Sequence, residues 1–407
     1  MPKVEIIITG SELVSGRVGD VNGRLMATSL DGMGIPCQAI HVVGDDLGHL
    51  THTIARALEA ADLVLISGGL GPTGDDLTHQ AVADASGCPL TPLPLPDGHQ
   101  PAPMPQGATP IHNPKGSAAG IWLKLGGKAL AALPGVPWEL EAMWPEVVAR
   151  IGAGFGSAGL TVSRTLRFVG LTEREVERRA MAALGDPPPP GLTLGVTAQP
   201  LAVDLHLKAA ATGALETAVK RLIPTLGDHL YGEGTITLPQ AVGGLFDRRG
   251  LVVACAESCT GGAISAALTS VSGASNYVDR GVVTYSNTAK TELLGVPEAM
   301  LETHGAVSEP VAVAMAEGLL ARSRAGVALS VTGIAGPTGG TPEKPVGLVF
   351  MAVAGEDGTF CREFRHRGDR ARVIERSVTR GLDLLRRYAL GGIAALEAHF
   401  TETDPGT

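Results

Sequence analysis

Apolar and polar positions alternate along the first part of the chain in runs that predict strands and helices in turn. Val4 to Thr9 reads as a strand, Val21 to Met33 as a helix, Cys37 to Val43 as a strand and Leu47 to Ala61 as a helix. Asp62 to Ser67 is then a strand entering Gly68-Gly69-Leu70-Gly71-Pro72. This order argues for a parallel sheet with helices on both faces, the doubly wound α/β class. The middle of the chain carries a smaller version: strands at Arg164 to Val169, Leu192 to Thr197 and Val203 to Ala209, and helices at Thr172 to Leu184, capped by Thr172, and Gly213 to Ile223. Asp186 to Pro190 is a stiff proline loop between two of them. Further on, Leu251 to Cys255 and Val327 to Val331 are buried-strand runs, and Ala263 to Leu268 reads as a buried helix. Eight prolines between Pro89 and His112, at 89, 92, 94, 96, 101, 103, 105 and 110, rule out a regular helix there.

The loops that follow the strands carry the candidate chemistry. Ser258, in Ala256-Glu257-Ser258-Cys259-Thr260-Gly261-Gly262, sits at a strand-to-helix turn. Backbone N–H groups of Cys259, Thr260 and Gly261 could there stabilise an oxyanion or hold a phosphate; the alternative is a plain N-cap serine. Lys290, just inside the helix after Val282-Val283-Thr284-Tyr285-Ser286-Asn287, could act as a general base if burial lowers its pKa. Tyr285 could relay a proton or orient the pair. The alternatives are a solvated lysine and a core tyrosine with a wet tip. Thr332-Gly333-Ile334-Ala335-Gly336-Pro337 is a loop that brings backbone close to a ligand. The densest basic stretch contains Arg362, Arg365, His366, Arg367, Arg370, Arg372, Arg376 and Arg380. It reads either as an anion clamp or as a solvated face. Arg370 and Arg372, at the turn into the last helix, are the best placed to reach a pocket. In the first part, Asp75 and Asp76 after the glycine-rich loop suit a divalent metal beside a pyrophosphate, or else cap the helix beginning near Leu77.

At 407 residues the chain exceeds one ordinary core, so two or three domains are expected. A formal charge of -9 disfavours coating nucleic acid, which needs a basic surface. Five cysteines without paired CxxC spacing disfavour disulfides or a zinc cluster, and leave Cys259 as a rival nucleophile. The chain runs from Met1 straight into a strand, and no apolar run reaches membrane-spanning length, so a cytoplasmic protein without membrane association is expected.

Together the tracts Glu-Ser-Cys-Thr-Gly-Gly, Val-Thr-Tyr-Ser-Asn-x-Ala-Lys and Thr-Gly-Ile-Ala-Gly-Pro resemble the C-terminal domain of the CinA family of competence/damage-inducible proteins. That domain is similar to amidohydrolases converting nicotinamide mononucleotide to nicotinic acid mononucleotide and ammonia. The resemblance implies Ser258 as nucleophile, with Lys290 and Tyr285 as its activating partners. It lines the nucleotide site with Thr332 to Gly336, including Thr332, Gly333, Ala335 and Gly336; the reading of the residues adds Thr260, Gly261 and Asn287, with Arg370 and Arg372 for the phosphate, and no cofactor is expected. Gly-Gly-Leu-Gly-Pro-Thr-x-Asp-Asp-Leu-Thr, with Asn113 to Gly116 and Leu133 to Pro137, resembles the family's molybdopterin-binding-like domain, for which a metal-dependent ADP-ribose pyrophosphatase activity is known. This implies a site with Glu12, Asp45, Gly69 and Gly71, and a divalent metal, with room for a monovalent cation, at Asp75 and Asp76. One departure stands out: family members usually carry a longer, helix-bearing segment where Pro89 to His112 is short, and a missing wall would leave that substrate poorly held. The implied domains are 1–163 (molybdopterin-binding-like), 164–238 (a small α/β connector and linker, Tyr231 to Leu238 being the linker) and 239–407 (α/β amidohydrolase), in a homo-oligomer. The competing function is a non-catalytic regulator or scaffold in competence and DNA repair. Pterin binding by the first domain would rest on fold analogy alone.

Overall fold

The structure, a computed structural model, describes residues 2–93, 102–155 and 162–402. Pro94, Pro96 and Pro101 of the proline-rich segment lie outside them. The chain forms two compact units, Met1–Val162 and Ser163–Thr407.

The first unit runs β1 (Val4–Thr9), α1 (Ser11–Val14), α2 (Asn22–Gly32), β2 (Cys37–Val43), α3 (Leu47–Ala60), β3 (Leu63–Ser67), α4 (Thr78–Ser86), β4 (Leu90–Leu93), β5 (Ala102–Pro105), β6 (Thr109–Ile111), β7 (Gly120–Leu125), β8 (Lys128–Leu133) and α5 (Pro137–Phe155). Its main sheet has the order β2-β1-β3-β8-β7-β6. β2, β1, β3 and β8 are parallel, while β7 and β6 are antiparallel additions. Side chains alternate across the sheet. Ile6, Ile8, Leu63 and Leu65 therefore pack on one face with α2 and α5, and Ile7, Val64 and Ile66 on the other with α3 and α4. The described residues of the proline-rich segment form no helix: β4 and β5 pair antiparallel, Thr91 opposite Met104. Prolines suit such a two-stranded edge ribbon, where a missing N–H need not break a ladder.

The second unit holds two sheets. β9 (Val162–Val169), α6 (Glu173–Leu184), β10 (Leu192–Gln199), β11 (Ala202–Ala209), α7 (Thr212–Leu226) and β12 (Leu230–Glu233) build a four-stranded sheet of order β10-β11-β9-β12. The Thr172 side chain caps α6 by accepting from Glu175 N–H. The stretch expected to be a linker starts as a strand, since β12 pairs antiparallel with β9, Leu230 opposite Phe168. Four residues containing a glycine are too few to show alternation in sequence.

The larger sheet follows: α8 (Leu238–Arg249), β13 (Val253–Glu257), α9 (Ala263–Thr269), β14 (Val278–Val283), α10 (Asn287–Leu294), α11 (Glu298–His304), α12 (Glu309–Ala321), β15 (Val327–Gly333), β16 (Leu348–Gly355), β17 (Gly358–Arg365) and α13 (Arg370–Glu402), the last broken at Gly391–Gly392. The strand order is β14-β13-β15-β16-β17. β14, β13 and β15 are parallel; β16 and β17 return antiparallel. Val253, Cys255 and Leu329 pack with Phe246, Ile264 and Leu385 on one face. Ala254, Ala256 and Ala328 pack with Leu294, Leu301 and Met315 on the other. The chain leaves β13 to one side for β14 and crosses to the other side for β15, so the carboxyl ends of β13 and β15 flank a topological switch point.

Candidate active site

Three parallel strands end together there. Glu257 pairs with Val283 and with Val331, and the ladder continues one step as Ser258 N–H donates to Val331 O at 2.9 Å and Thr284 N–H to Glu257 O at 2.8 Å. Ser258, Thr284 and Thr332 are thus brought to one edge, all buried.

Lys290 comes to the same point from α10. The Ser286 side chain caps that helix by accepting from Ala289 N–H, which sets Lys290 one turn in and facing the sheet. Its side chain is only 1% exposed, the reverse of a solvated lysine. Nζ lies 3.1 Å from Ser258 Oγ and donates to Thr284 O at 2.7 Å. No carboxylate accepts from it among the described residues, and burial lowers its pKa, outweighing an opposing influence of Cys259. Desolvation favours the neutral amine, whose lone pair can take the serine proton.

Ser258 is not the cap of α9, because that helix begins at Ala263 with Gly262 as its cap in a left-handed conformation, φ 99°. The helix start is held instead by Glu257. Its carboxylate accepts from Gly262 and Ile264 N–H at 3.1 and 3.0 Å, and from Ser265 N–H and Oγ at 2.8 and 2.6 Å. Sequence reading passed over this residue; the signal was its place at the buried end of an apolar strand, where a carboxylate needs such donors. With the helix terminus filled, the N–H groups that could hold an anion here are those of the 258–262 turn. Gly261 N–H already donates to Ser258 O. The N–H groups of Cys259 and Thr260 make no backbone hydrogen bond among the described residues. Thr260 Oγ1 and Thr284 Oγ1 are buried without a partner. Cys259 packs in the core, and burial pushes its thiol up to about 12, which leaves almost no thiolate at neutral pH.

Tyr285 is 60% exposed. Its hydroxyl accepts from Arg370 at 3.0 Å, and no hydrogen bond joins it to Ser258 or Lys290 among the described residues. Arg370 also donates to Gly336 O at 3.0 Å, which ties the start of α13 to the loop after β15. In that loop Gly336 has φ 82°, and a Cβ on Gly333 would lie 2.8 Å from Leu348 O, so both glycines are required by the backbone path. Ala335 is buried, and the Thr332 hydroxyl is spent on Ala306 O at 2.7 Å. Asn287 and Gly261 are exposed.

The basic stretch does not form one clamp. Arg362 stacks over Phe400 and Arg380 over Phe364, Arg365 pairs with Glu363, and Arg376 donates to Arg367 O. Burial and the two nearby arginines hold His366 down at about 4, hence neutral. Arg372 pairs with Glu375 on its own helix and makes no hydrogen bond to the loop among the described residues. Of the pair expected to bind phosphate, Arg370 alone touches the loop.

The first unit has its own candidate site. A cavity of about 580 Å³ opens at the carboxyl ends of β1, β3 and β8, and Glu12, Asp45, Gly69, Gly71, Asp75 and Asp76 all line it. Asp20 and Glu139 line it too, making six carboxylates with no lysine, arginine or histidine in the lining. Asp45 is partly committed, accepting from Thr9 Oγ1 and Ser11 N–H. Glu139 accepts from Asn113 of the Asn-Pro tract at 2.8 Å. Asp75 and Asp76 do not cap α4; both carboxylates lie within hydrogen-bond reach of the Thr73 hydroxyl and share its single proton, and Asp76 also accepts from Thr73 N–H at 2.8 Å. No described residue from 89 to 112 is in the lining, the β4–β5 ribbon packing beside α4. Six carboxylates in the lining, with no imidazole or thiol beside them, fit a hard divalent cation. No third His, Cys, Asp or Glu joins Asp75 and Asp76 in a ligand cluster among the described residues. An ion there would complete its shell with water and substrate oxygens, as magnesium commonly does.

The molecule is therefore a two-unit α/β protein, with a separate candidate site at the switch point of each parallel sheet. Residues 5–153 match the family model described as a probable molybdopterin binding domain, and residues 235–389 that of the CinA C-terminal domain. A putative competence-damage inducible protein of Symbiobacterium thermophilum is 40% identical over 95% of this chain and 99% of its own length. A CinA-like protein of Anaeromyxobacter sp. (strain K) is 38% identical over 94% and 99%. Among solved structures, the competence/damage inducible protein CihA from Agrobacterium tumefaciens is 45% identical, covering 39% of this chain and 93% of that one, with a TM-score of 0.36. The chain belongs to the CinA family. No helix among the described residues is long and apolar enough to cross a membrane.

Proposed function

We propose that the second unit hydrolyses the carboxamide of nicotinamide mononucleotide, releasing nicotinic acid mononucleotide and ammonia. One observation carries this reading: a buried lysine amine without a carboxylate partner, 3.1 Å from a buried serine hydroxyl. Ser258 Oγ attacks the amide carbon as its proton passes to Lys290 Nζ. The tetrahedral oxyanion is held by N–H groups of the 258–262 turn. Lys290 returns the proton to the departing nitrogen, the C–N bond breaks, and ammonia leaves an ester on Ser258. A water, deprotonated by Lys290, then hydrolyses the ester and restores the serine. Thr284 O holds the amine in place throughout. A scaffold has no need of an amine desolvated against a serine.

Arg370, which reaches the loop after β15, is assigned in this reading to the nucleotide phosphate. Arg370→Ala is expected to raise KM for the mononucleotide far more than it lowers kcat, the mark of lost uniform binding, while Arg372→Ala stays near wild type. Steady-state ammonia release from the mononucleotide checks both. An unchanged KM in Arg370→Ala would move the phosphate onto backbone amides.

The acidic cavity of the first unit favours a second activity, metal-dependent cleavage of ADP-ribose. Asp75 and Asp76 would hold the divalent ion, which when bound would supply Lewis-acid polarisation of the pyrophosphate. The chain's own part is to aim those carboxylates, through Thr73, and to bring the glycine backbone of Gly69 and Gly71 close to the substrate. Such cleavage is expected to vanish with chelator and in Asp76→Ala, while ammonia release continues. Cleavage that survives chelation would remove the metal from this account.

A further inference from the structure

The geometry points to a third site, for a divalent transition metal of the zinc class, formed by Asp228, His229 and His399 in the second unit. One nitrogen of each imidazole and one carboxylate oxygen lie within 4.8 Å of one another, the one such trio of His, Cys, Asp or Glu among the described residues. The two rings stand 5.2 Å apart at 70°. Asp228 and His229 belong to the 3₁₀ turn Gly227–His229 that leads into β12, and His399 to the segment of α13 beyond the Gly391–Gly392 break.

Each of the first two ligands has the outer partner that metal ligands characteristically need. His229 Nδ1 lies 2.9 Å from Val169 O, which fixes the proton on Nδ1 and leaves the Nε2 lone pair for a metal. Asp228 Oδ2 accepts from Arg387, leaving Oδ1 for the ion. The Arg387 charge close by is shared between two carboxylates, Asp228 and Asp383. Asp383, fully buried, accepts from both Arg386 and Arg387 at 3.0 Å.

Two imidazoles and a carboxylate suit zinc, cobalt or nickel rather than magnesium or calcium. Zinc bonds of about 2.0–2.2 Å need the ligand atoms somewhat closer together than they stand. Closing that gap takes small shifts of all three side chains, of which Asp228, 56% exposed, is the most exposed. A water would fill the fourth position. The ion would pin the segment beyond the glycine break to the turn before β12, independently of either proposed activity.

The test uses full-length protein stripped with chelator. Zinc is titrated against a chromophoric chelator, cobalt by its visible absorption, and thermal unfolding is followed with and without zinc. The expected result is one tightly held ion per chain, tetrahedral cobalt bands, and a rise in Tm with zinc from mass action. His399→Ala should lose the ion, the bands and the Tm rise, and Asp228→Asn should weaken binding at least about tenfold. Wild type and Asp228→Asn binding zinc with equal affinity and identical cobalt spectra would overturn the proposal, as would a wild type without the cobalt bands. Should His399→Ala fail to fold, the exposed Asp228 position decides alone.

Discussion

Ser258→Ala loses ammonia release from nicotinamide mononucleotide by at least about a thousandfold while nucleotide affinity stays near wild type. The hydroxyl makes the new bond and contributes little to ground-state binding, and removing a nucleophile from a working unit costs nearly the whole chemical step. The change should be tolerated structurally. Ser258 continues the strand ladder through its backbone N–H and closes the following turn through its carbonyl, both of which alanine keeps. Cys259→Ala serves as the counterpart: its thiol sits in the core and is held protonated by burial, so turnover should survive that change. Single-turnover ammonia release with equilibrium binding of the nucleotide separates the two. If Ser258→Ala turns over normally and Cys259→Ala does not, the nucleophile is the cysteine.

Lys290→Met is expected to lower turnover by at least about a hundredfold, the lower range for loss of a positioned acid or base. Methionine approximates the buried stem in length and leaves no charge in the interior, so the protein should remain folded, losing mainly the hydrogen bond to Thr284 O. The wild-type pH profile carries the same information. Burial depresses the lysine pKa in the folded protein, so the competent neutral amine is present above that lowered value and is lost as pH falls through it. Activity should therefore decline on the acid side, and Lys290→Met should show no such limb in whatever activity remains. Near-normal rates in Lys290→Met would dissolve the serine–lysine scheme.

Much of this architecture could be read from the chain, because parallel strands buried on both faces announce themselves as apolar runs and their loops carry glycine. β1 and β2 run as expected, and Ser258, Lys290 and the Thr332 loop fall at the ends of neighbouring strands. What sequence could not supply was depth and partnership. Lys290 and Arg372 look alike as helix cations, yet one is buried against a hydroxyl and the other pairs with Glu375 in water. Tyr285 sits within the motif but faces outward, since the residue between a strand end and a helix cap has no periodicity to fix its direction. Glu257 reads as a break in an apolar strand until the helix start that it caps is seen. β12 was too short to declare itself, and the meeting of Asp228 and His229 with His399 joins positions far apart in the chain.

Incubating the wild-type protein with nicotinamide mononucleotide in the presence of chelator, and measuring ammonia together with the nucleotide product, tests the central claim most directly. The account predicts ammonia and nicotinic acid mononucleotide in equal amounts, with the rate untouched by removal of metal. Binding of the nucleotide without release of ammonia would contradict it.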